Sequence, residues 1–93
     1  AGLCAALSEG RLRAEADRGA RAAALLKNDM LVEAFEVLEG RYAEAWRSSP
    51  MRDNEAREYF YMLTTALNAL RQQITTVVET GKLAEHQLHK PKK

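Results

Sequence analysis

The sequence predicts an all-α protein, and three observations support that prediction. The first is a long segment, residues 53–81, whose apolar residues recur alternately four and three positions apart, as on one face of a helix. The second is a shorter segment, residues 29–48, with the same helical period. The third is a composition rich in Ala, Leu, Glu and Arg, which is typical of helical proteins. A chain of 93 residues is long enough for one small domain.

The long segment is predicted to be a helix over about residues 53–80. Asp53 can cap its N-terminus, and Gly81 is expected to end it in the left-handed C′ conformation. A helix of this length cannot bury its apolar stripe alone, so it needs a partner helix. The predicted packing residues, which have the spacing of a coiled-coil seam, are Ala56, Phe60, Leu63, Leu67, Leu70, Ile74 and Val77.

Residues 29–48 are predicted to be that partner. Asn28 or Asp29 can cap the helix, and Pro50 prevents it from continuing into the next one. A connection this short joins antiparallel neighbours, so the two helices should form an antiparallel helical hairpin. The predicted core face carries Leu31, Ala34, Phe35, Leu38, Tyr42, Ala45 and Trp46. The outer face is acidic, with Glu33, Glu36, Glu39 and Glu44.

The aromatic residues beside the turn are expected to form a core cluster, in which Trp46 and Tyr42 meet Tyr59 and Phe60. The hairpin leaves further apolar residues without cover, and an exposed apolar stripe is normally an interface. The sequence therefore predicts a homo-oligomer, a helical bundle or ring. The residues that need such cover are Met30, Val37, Tyr61, Met62, Ala66, Ala69 and Val78.

Residues 1–27 are predicted to be a basic, partly helical arm that adds a third helix or extends the first. Gly10 and Gly19 each cost up to about 1 kcal/mol in a helix interior, which weakens the helical pattern there. Residues 28–89 form the predicted hairpin domain, and the basic residues 90–93 are expected to be disordered. The single cysteine, Cys4, excludes an internal disulfide framework and is interpreted as a small apolar residue.

Chemistry-bearing patterns are sparse, so the sequence predicts a protein that is not an enzyme and needs no cofactor or small-molecule substrate. It has no glycine-rich phosphate loop, nucleophile elbow or zinc-binding helix motif. His86 and His89 are three residues apart, but a metal site needs three or four ligands, so we interpret both as solvent-facing. No apolar run reaches the roughly 18 residues of a membrane span. We expect a cytoplasmic location in the host cell, with association to a virion as the further expectation.

Nucleic acid is a candidate partner because of charge at the two ends of the chain, although the formal net charge is only +1. Flexible basic side chains can neutralise phosphates without reading bases. The alternative interpretation is that these side chains are simply solvated. The candidate DNA contacts are Arg11, Arg13, Arg18, Arg21, Lys90, Lys92 and Lys93.

The residues around the turn and near the end of the long helix resemble a known pattern. It comprises Ala45-Trp46-Arg47, Pro50, Arg52-Asp53, Glu55-Ala56-Arg57-Glu58 and Gly81-Lys82-Leu83-Ala84. The pattern is similar to that of small, largely uncharacterised α-helical proteins of tailed phages and prophages, encoded near head and DNA-packaging genes. The resemblance covers roughly residues 21–88. It implies a role in virion assembly or packaging and transfers no functional residues.

A second resemblance, to secreted WXG-type helical hairpins, rests on Trp46 at a hairpin turn. That family has Gly two residues after the Trp, where this chain has Ser48, and the chain also lacks that family's C-terminal Tyr-then-acid signal.

Two function classes follow from the sequence. The leading hypothesis is a non-enzymatic phage structural or DNA-packaging protein that works through helix-mediated self-association, with other virion or packaging proteins as candidate partners. The alternative is a small interaction module that binds a host or toxin protein through the acidic hairpin face. Salt-sensitive DNA binding would favour the first, and a single tight protein partner would favour the second.

Overall fold

The computed structural model of the chain describes the backbone of residues 2–89 and the side chains of residues 8–89. Over that range the chain forms three α-helices and no strand: α1 (Gly2–Leu26), α2 (Asp29–Ser48) and α3 (Asn54–Leu88). The predicted all-α class is confirmed, and the N-terminal residues supply a separate third helix. The predicted tail, residues 90–93, lies outside the described residues.

The chain divides into two compact units, which α3 passes through in turn. One unit combines α1 with the part of α3 from Gln73 onward, and the other is Lys27–Gln72. The sequence-based division placed residues 1–27 in an arm apart from residues 28–89. The contacts instead group that N-terminal helix with the second half of α3.

Side-chain caps fix where α2 and α3 begin, as the sequence predicts. Asn28 is extended, and its Oδ1 accepts hydrogen bonds from the backbone N–H groups of Met30 and Leu31 at 3.0 and 3.1 Å. The Oδ1 of Asp53 accepts from the N–H of Ala56 at 3.0 Å. Each cap satisfies N–H groups that the first helical turn leaves without a partner.

The end of α2 is equally local. Ser49 is extended (φ −65°, ψ 137°) because it precedes Pro50, whose ring disfavours the helical conformation of the residue before it. The Ser49 hydroxyl donates to the carbonyl oxygen of Ala45 at 2.8 Å, and its N–H donates to that of Trp46 at 3.3 Å. These bonds satisfy carbonyl groups in the last turn of α2.

Within the Lys27–Gln72 unit, α2 contacts the first part of α3. Phe35 is the large side chain that this contact buries, with 6% of its surface exposed. The Arg71 guanidinium lies 4.8 Å from the centre of the Phe35 ring and pairs with Glu39 at 2.6 Å. Closer to the turn, the Arg57 guanidinium lies 4.3 Å from the centre of the Trp46 ring. Residues early in α2 thus meet residues late in this part of α3, and the reverse.

Leu70 departs from its predicted place in the packing stripe, since 54% of its surface is exposed. A helix has 3.6 residues per turn, so a strict alternation of three and four drifts around it. After Leu67 the contact with α2 passes to Arg71, which reaches Glu39 and Phe35. Leu70 therefore faces away from α2.

The predicted core cluster of aromatic residues is also wrong in part. Tyr42 and Phe60 are half-buried, whereas Trp46 is 41% exposed and Tyr59 is 59% exposed. A cation rather than a second ring covers Trp46, because Arg57 lies over it. Tyr59 instead makes an edge-to-face contact with Phe60, with ring centres 5.3 Å apart.

In the other unit, α1 and α3 approach each other through two glycines. Gly19 and Gly81 are both buried, and a Cβ built on Gly19 would lie 2.6 Å from the Cα of Gly81. Residues early in α1 lie beside residues late in α3, as shown by a shallow groove that Leu12, Ala84 and Gln87 help to line. Ala84 is buried, with 4% of its surface exposed.

The predicted role of Gly81 as the left-handed end of the long helix is wrong. The helix continues through it to Leu88, and no glycine among the described residues has a positive φ. Gly81 is needed for a different reason, because only a residue without a side chain lets the backbone of α1 come so close. The same contact explains Gly19, which from sequence seemed only to weaken the first helix.

Candidate interaction surfaces

Trp46 is the centre of the first candidate surface. The last turn of α2 places it beside the start of α3, and the Asp53 cap fixes where that helix begins. Arg57, one turn further on, lies over one part of its ring. An arginine over an indole is a favourable cation–π arrangement, worth roughly 0.5–1 kcal/mol at exposed sites.

Two open grooves flank Trp46, and Tyr61 also lines both. The first has a volume of about 410 Å³ and a polar border, to which Asn54, Arg57 and Glu58 contribute. The second is smaller, about 250 Å³, and is more apolar. Its remaining lining residues are Ala43, Arg47 and Thr64. Exposed Trp, Tyr and Arg side chains are the types most enriched in the energetic centres of protein interfaces.

The second candidate surface runs along the outer side of α3 and is called the α3 stripe here. It consists of Tyr59, Met62, Ala66, Ala69 and Leu70, all exposed and all within about 100° of one another around the helix. Their exposed fractions are 59% for Tyr59, 66% for Met62 and 54% for Leu70. Met62, Ala66 and Ala69 were among the residues that the sequence predicted to need cover.

The predicted packing residues are placed unevenly. Phe35 is buried, while Trp46 and Leu70 are exposed. The other seven predicted packing residues are half-buried: Leu38, Tyr42, Phe60, Leu63, Leu67, Ile74 and Val77. Their role in an oligomer interface stays a prediction.

The acidic outer face of α2 is the third candidate surface. Asp29–Ser48 contains five acidic residues and two arginines, which leaves a net charge of −3. Glu39 pairs with Arg71, and Glu44 accepts a bond from Arg47 at 3.2 Å. Glu33 and Glu36 are exposed. This helix would repel phosphate and favour a basic partner.

The candidate DNA contacts on α1 are exposed, but they do not form one patch. At about 100° per residue, Arg13 lies roughly 160° around the helix from Arg11. Arg21 is engaged in an ion pair with Asp17 at 3.1 Å, and Arg18 is exposed. Gly2–Leu26 carries four arginines and three acidic residues, a net charge of only +1. The three candidate lysines, Lys90, Lys92 and Lys93, lie outside the described residues.

Sequence reasoning missed the arginines that contact α2 across the Lys27–Gln72 unit. Arg57 and Arg71 had been assigned to a solvated face, but their guanidinium groups lie over Trp46 and Phe35. The signal was present in the spacing. Both arginines lie next to the apolar stripe, where a long side chain can cover a ring and keep its charge near water.

Among residues 8–89, no group of three or more His, Cys, Asp or Glu side chains is placed to hold a metal ion. His86 and His89 are both exposed. No buried side-chain nitrogen or oxygen in the described part of the chain lacks a hydrogen-bond partner. None of the three helices, over their described residues, is long and apolar enough to cross a membrane.

These features define an all-α chain with a small core and several exposed apolar surfaces. Comparison with protein-family models, with characterised proteins and with solved structures gave no match. The function is therefore argued from the surfaces themselves.

Proposed function

We propose that the chain is a non-enzymatic structural or DNA-packaging protein of a tailed phage or prophage, and that it works through helix-mediated self-association. In this proposal α2 and α3 act as an antiparallel hairpin, several copies of which form a bundle or ring. The self-association part of the proposal is supported by the surface of the single chain. The viral part is supported by the resemblance around the turn between α2 and α3.

The observation that carries the proposal is the amount of surface that one chain leaves exposed. A globular monomer of 10.4 kDa exposes about 5,400 Å², whereas this chain exposes 7645 Å². Among the described residues the buried hydrophobic side chains are only Phe35 and Ala84. Burial of apolar surface is the main favourable term in folding, so a chain with this little core gains stability by association.

Sedimentation velocity across a range of micromolar concentrations tests the self-association. We expect a concentration-dependent rise in mass and a thermal midpoint that also rises with protein concentration, because assembly stabilises the folded chain by mass action. A monomer at every concentration would reject the proposal.

The viral role needs a separate test in the lysogen or phage that encodes the chain. Antibody detection in purified proheads and mature particles, together with electron microscopy of a deletion strain, would assign the stage at which the protein acts. Normal yields of DNA-filled particles in the deletion strain would contradict a structural or packaging role.

The acidic face of α2 supports the alternative, an interaction module for a host or toxin protein. Charge complementarity between such a face and a basic partner raises the association rate and makes it sensitive to salt. Charge reversal at Glu33 and Glu36 should then abolish capture of that partner. Reversal of Glu55, which lies on α3, is the matched control.

A further inference from the structure

The α3 stripe has the composition of an interface rather than of a solvated face. Residues 59–70 contain no charged side chain, although the stripe residues within them are exposed. Cores of protein interfaces are depleted of charge and enriched in aromatic residues and Met. Tyr59, Met62 and Leu70 match that pattern on one side of one helix, whereas Met51, 91% exposed, is an isolated residue in the turn.

The size of the exposed surface is sufficient for a stable partner. The chain exposes about 2,200 Å² more than a globular monomer of its mass would. A standard protein interface removes about 800 Å² from each partner. One such contact is well within this surplus.

Charge selects a second copy as the occupant of the stripe. Two copies that met through the outer faces of α2 would bring net negative helices together, which is repulsive. The α3 stripe is neutral along its length, so a second α3 stripe meets it without like-charge repulsion. A contact of this kind is isologous, and it needs a patch that matches itself under a two-fold rotation.

We propose that a second copy docks antiparallel on this one, α3 stripe against α3 stripe, with Ala66 at the two-fold axis. This inference rests on the proposed self-association and names its interface. A small residue at the axis lets the helices approach closely, and Met62 then lies opposite the partner's Leu70. The bulky half of each stripe, Tyr59 and Met62, faces the half of the other that contains Ala69, so large residues meet small ones.

The first test compares two methionine substitutions of identical chemistry. Met62→Lys puts a charge into the stripe, and Met51→Lys puts the same charge into the exposed turn. Met62→Lys also follows Glu58 by four residues, a favourable order for a helical ion pair, so it should not weaken the monomer. In sedimentation equilibrium we expect Met62→Lys to raise the dimer dissociation constant by more than about a hundredfold, while Met51→Lys leaves it unchanged.

The second test reads the register by disulfide crosslinking in a Cys4→Ser background. In the antiparallel arrangement, positions 62 of the two copies are about 12 Å apart along the helix axis, too far for a disulfide. A mixture of Met62→Cys and Leu70→Cys chains should therefore crosslink to the mixed dimer. Neither variant should form a crosslinked dimer alone.

The outcomes separate the inference from the proposal on which it depends. A wild-type chain that stays monomeric overturns both. A wild-type oligomer that Met62→Lys leaves intact retains self-association and overturns the α3 stripe as its interface. Efficient crosslinking of the Met62→Cys chain with itself would overturn the antiparallel register. Circular dichroism of each variant confirms that a loss of mass is not a loss of helix.

Discussion

Substitution of Gly19 by alanine tests the close approach of α1 and α3. An ideal Cβ at this position would lie 2.6 Å from the Cα of Gly81 and 3.2 Å from the carbonyl oxygen of Val77. Carbon atoms in contact prefer separations of about 3.5–4.0 Å, so the two backbones would have to part by about 1 Å. Neither contact can be relieved by rotating a side chain, because both are with backbone atoms.

Two effects oppose each other in this variant. Alanine is intrinsically better than glycine in a helix by about 1 kcal/mol. Overpacking typically costs about 1–3 kcal/mol, and a clash with backbone belongs at the upper end of that range or above it. We therefore expect Gly19→Ala to lower the free energy of unfolding by about 2 kcal/mol. For a chain of this size, that corresponds to a fall in Tm of roughly 8–16 °C.

The same helix provides the control. A Cβ on Gly10 would have nothing within 4 Å among the described atoms, so Gly10→Ala should raise stability by up to about 1 kcal/mol. Thermal and urea unfolding followed by circular dichroism, at one fixed protein concentration, measures both variants. Hydrogen exchange in α1 shows whether the loss is local. A Gly19→Ala chain as stable as the Gly10→Ala chain would refute the close approach.

Three further predictions concern stability and charge. Phe35→Ala should lower the free energy of unfolding by about 3–5 kcal/mol, whereas Leu70→Ala, at an exposed site, should change monomer stability far less; urea titrations at low protein concentration would compare them, and equal losses would place Leu70 back in the core. Asp53→Ala should cost about 1 kcal/mol through loss of the α3 cap, with Asp53→Asn as a control that keeps a capping side chain; an unchanged urea midpoint would contradict the role. If α1 binds DNA, Arg11→Gln with Arg18→Gln should weaken a gel shift and reduce its log–log salt slope by about 0.9 per lost phosphate contact; an identical slope would indicate solvated arginines.

The helix boundaries could be predicted because their causes lie within a few residues. Asn28 and Asp53 accept hydrogen bonds from N–H groups two or three positions away, and Pro50 constrains the residue before it. The period of apolar residues likewise identified Phe35 as a core position and most of the half-buried positions on α3. These are properties of a short stretch of chain, so the sequence expresses them directly.

The candidate surfaces were only partly predictable. The sequence indicated that Met62 and Ala66 would lack cover, and both are exposed. It did not indicate that Leu70 would join them, because that depends on where the contact between α2 and α3 passes to Arg71. A drift of about 20° per heptad is enough to move one residue out of a packing stripe and its neighbour in.

The sequence by itself determined the fold class, the starts of α2 and α3, the turn between them and the charge of each helix. Only the tertiary structure decided the roles of the two buried glycines. Gly81 has the composition of a helix end, yet α3 continues through it because the backbone of α1 lies against it at Gly19. Residues more than sixty positions apart determine that contact, and a local propensity of about 1 kcal/mol does not decide against it.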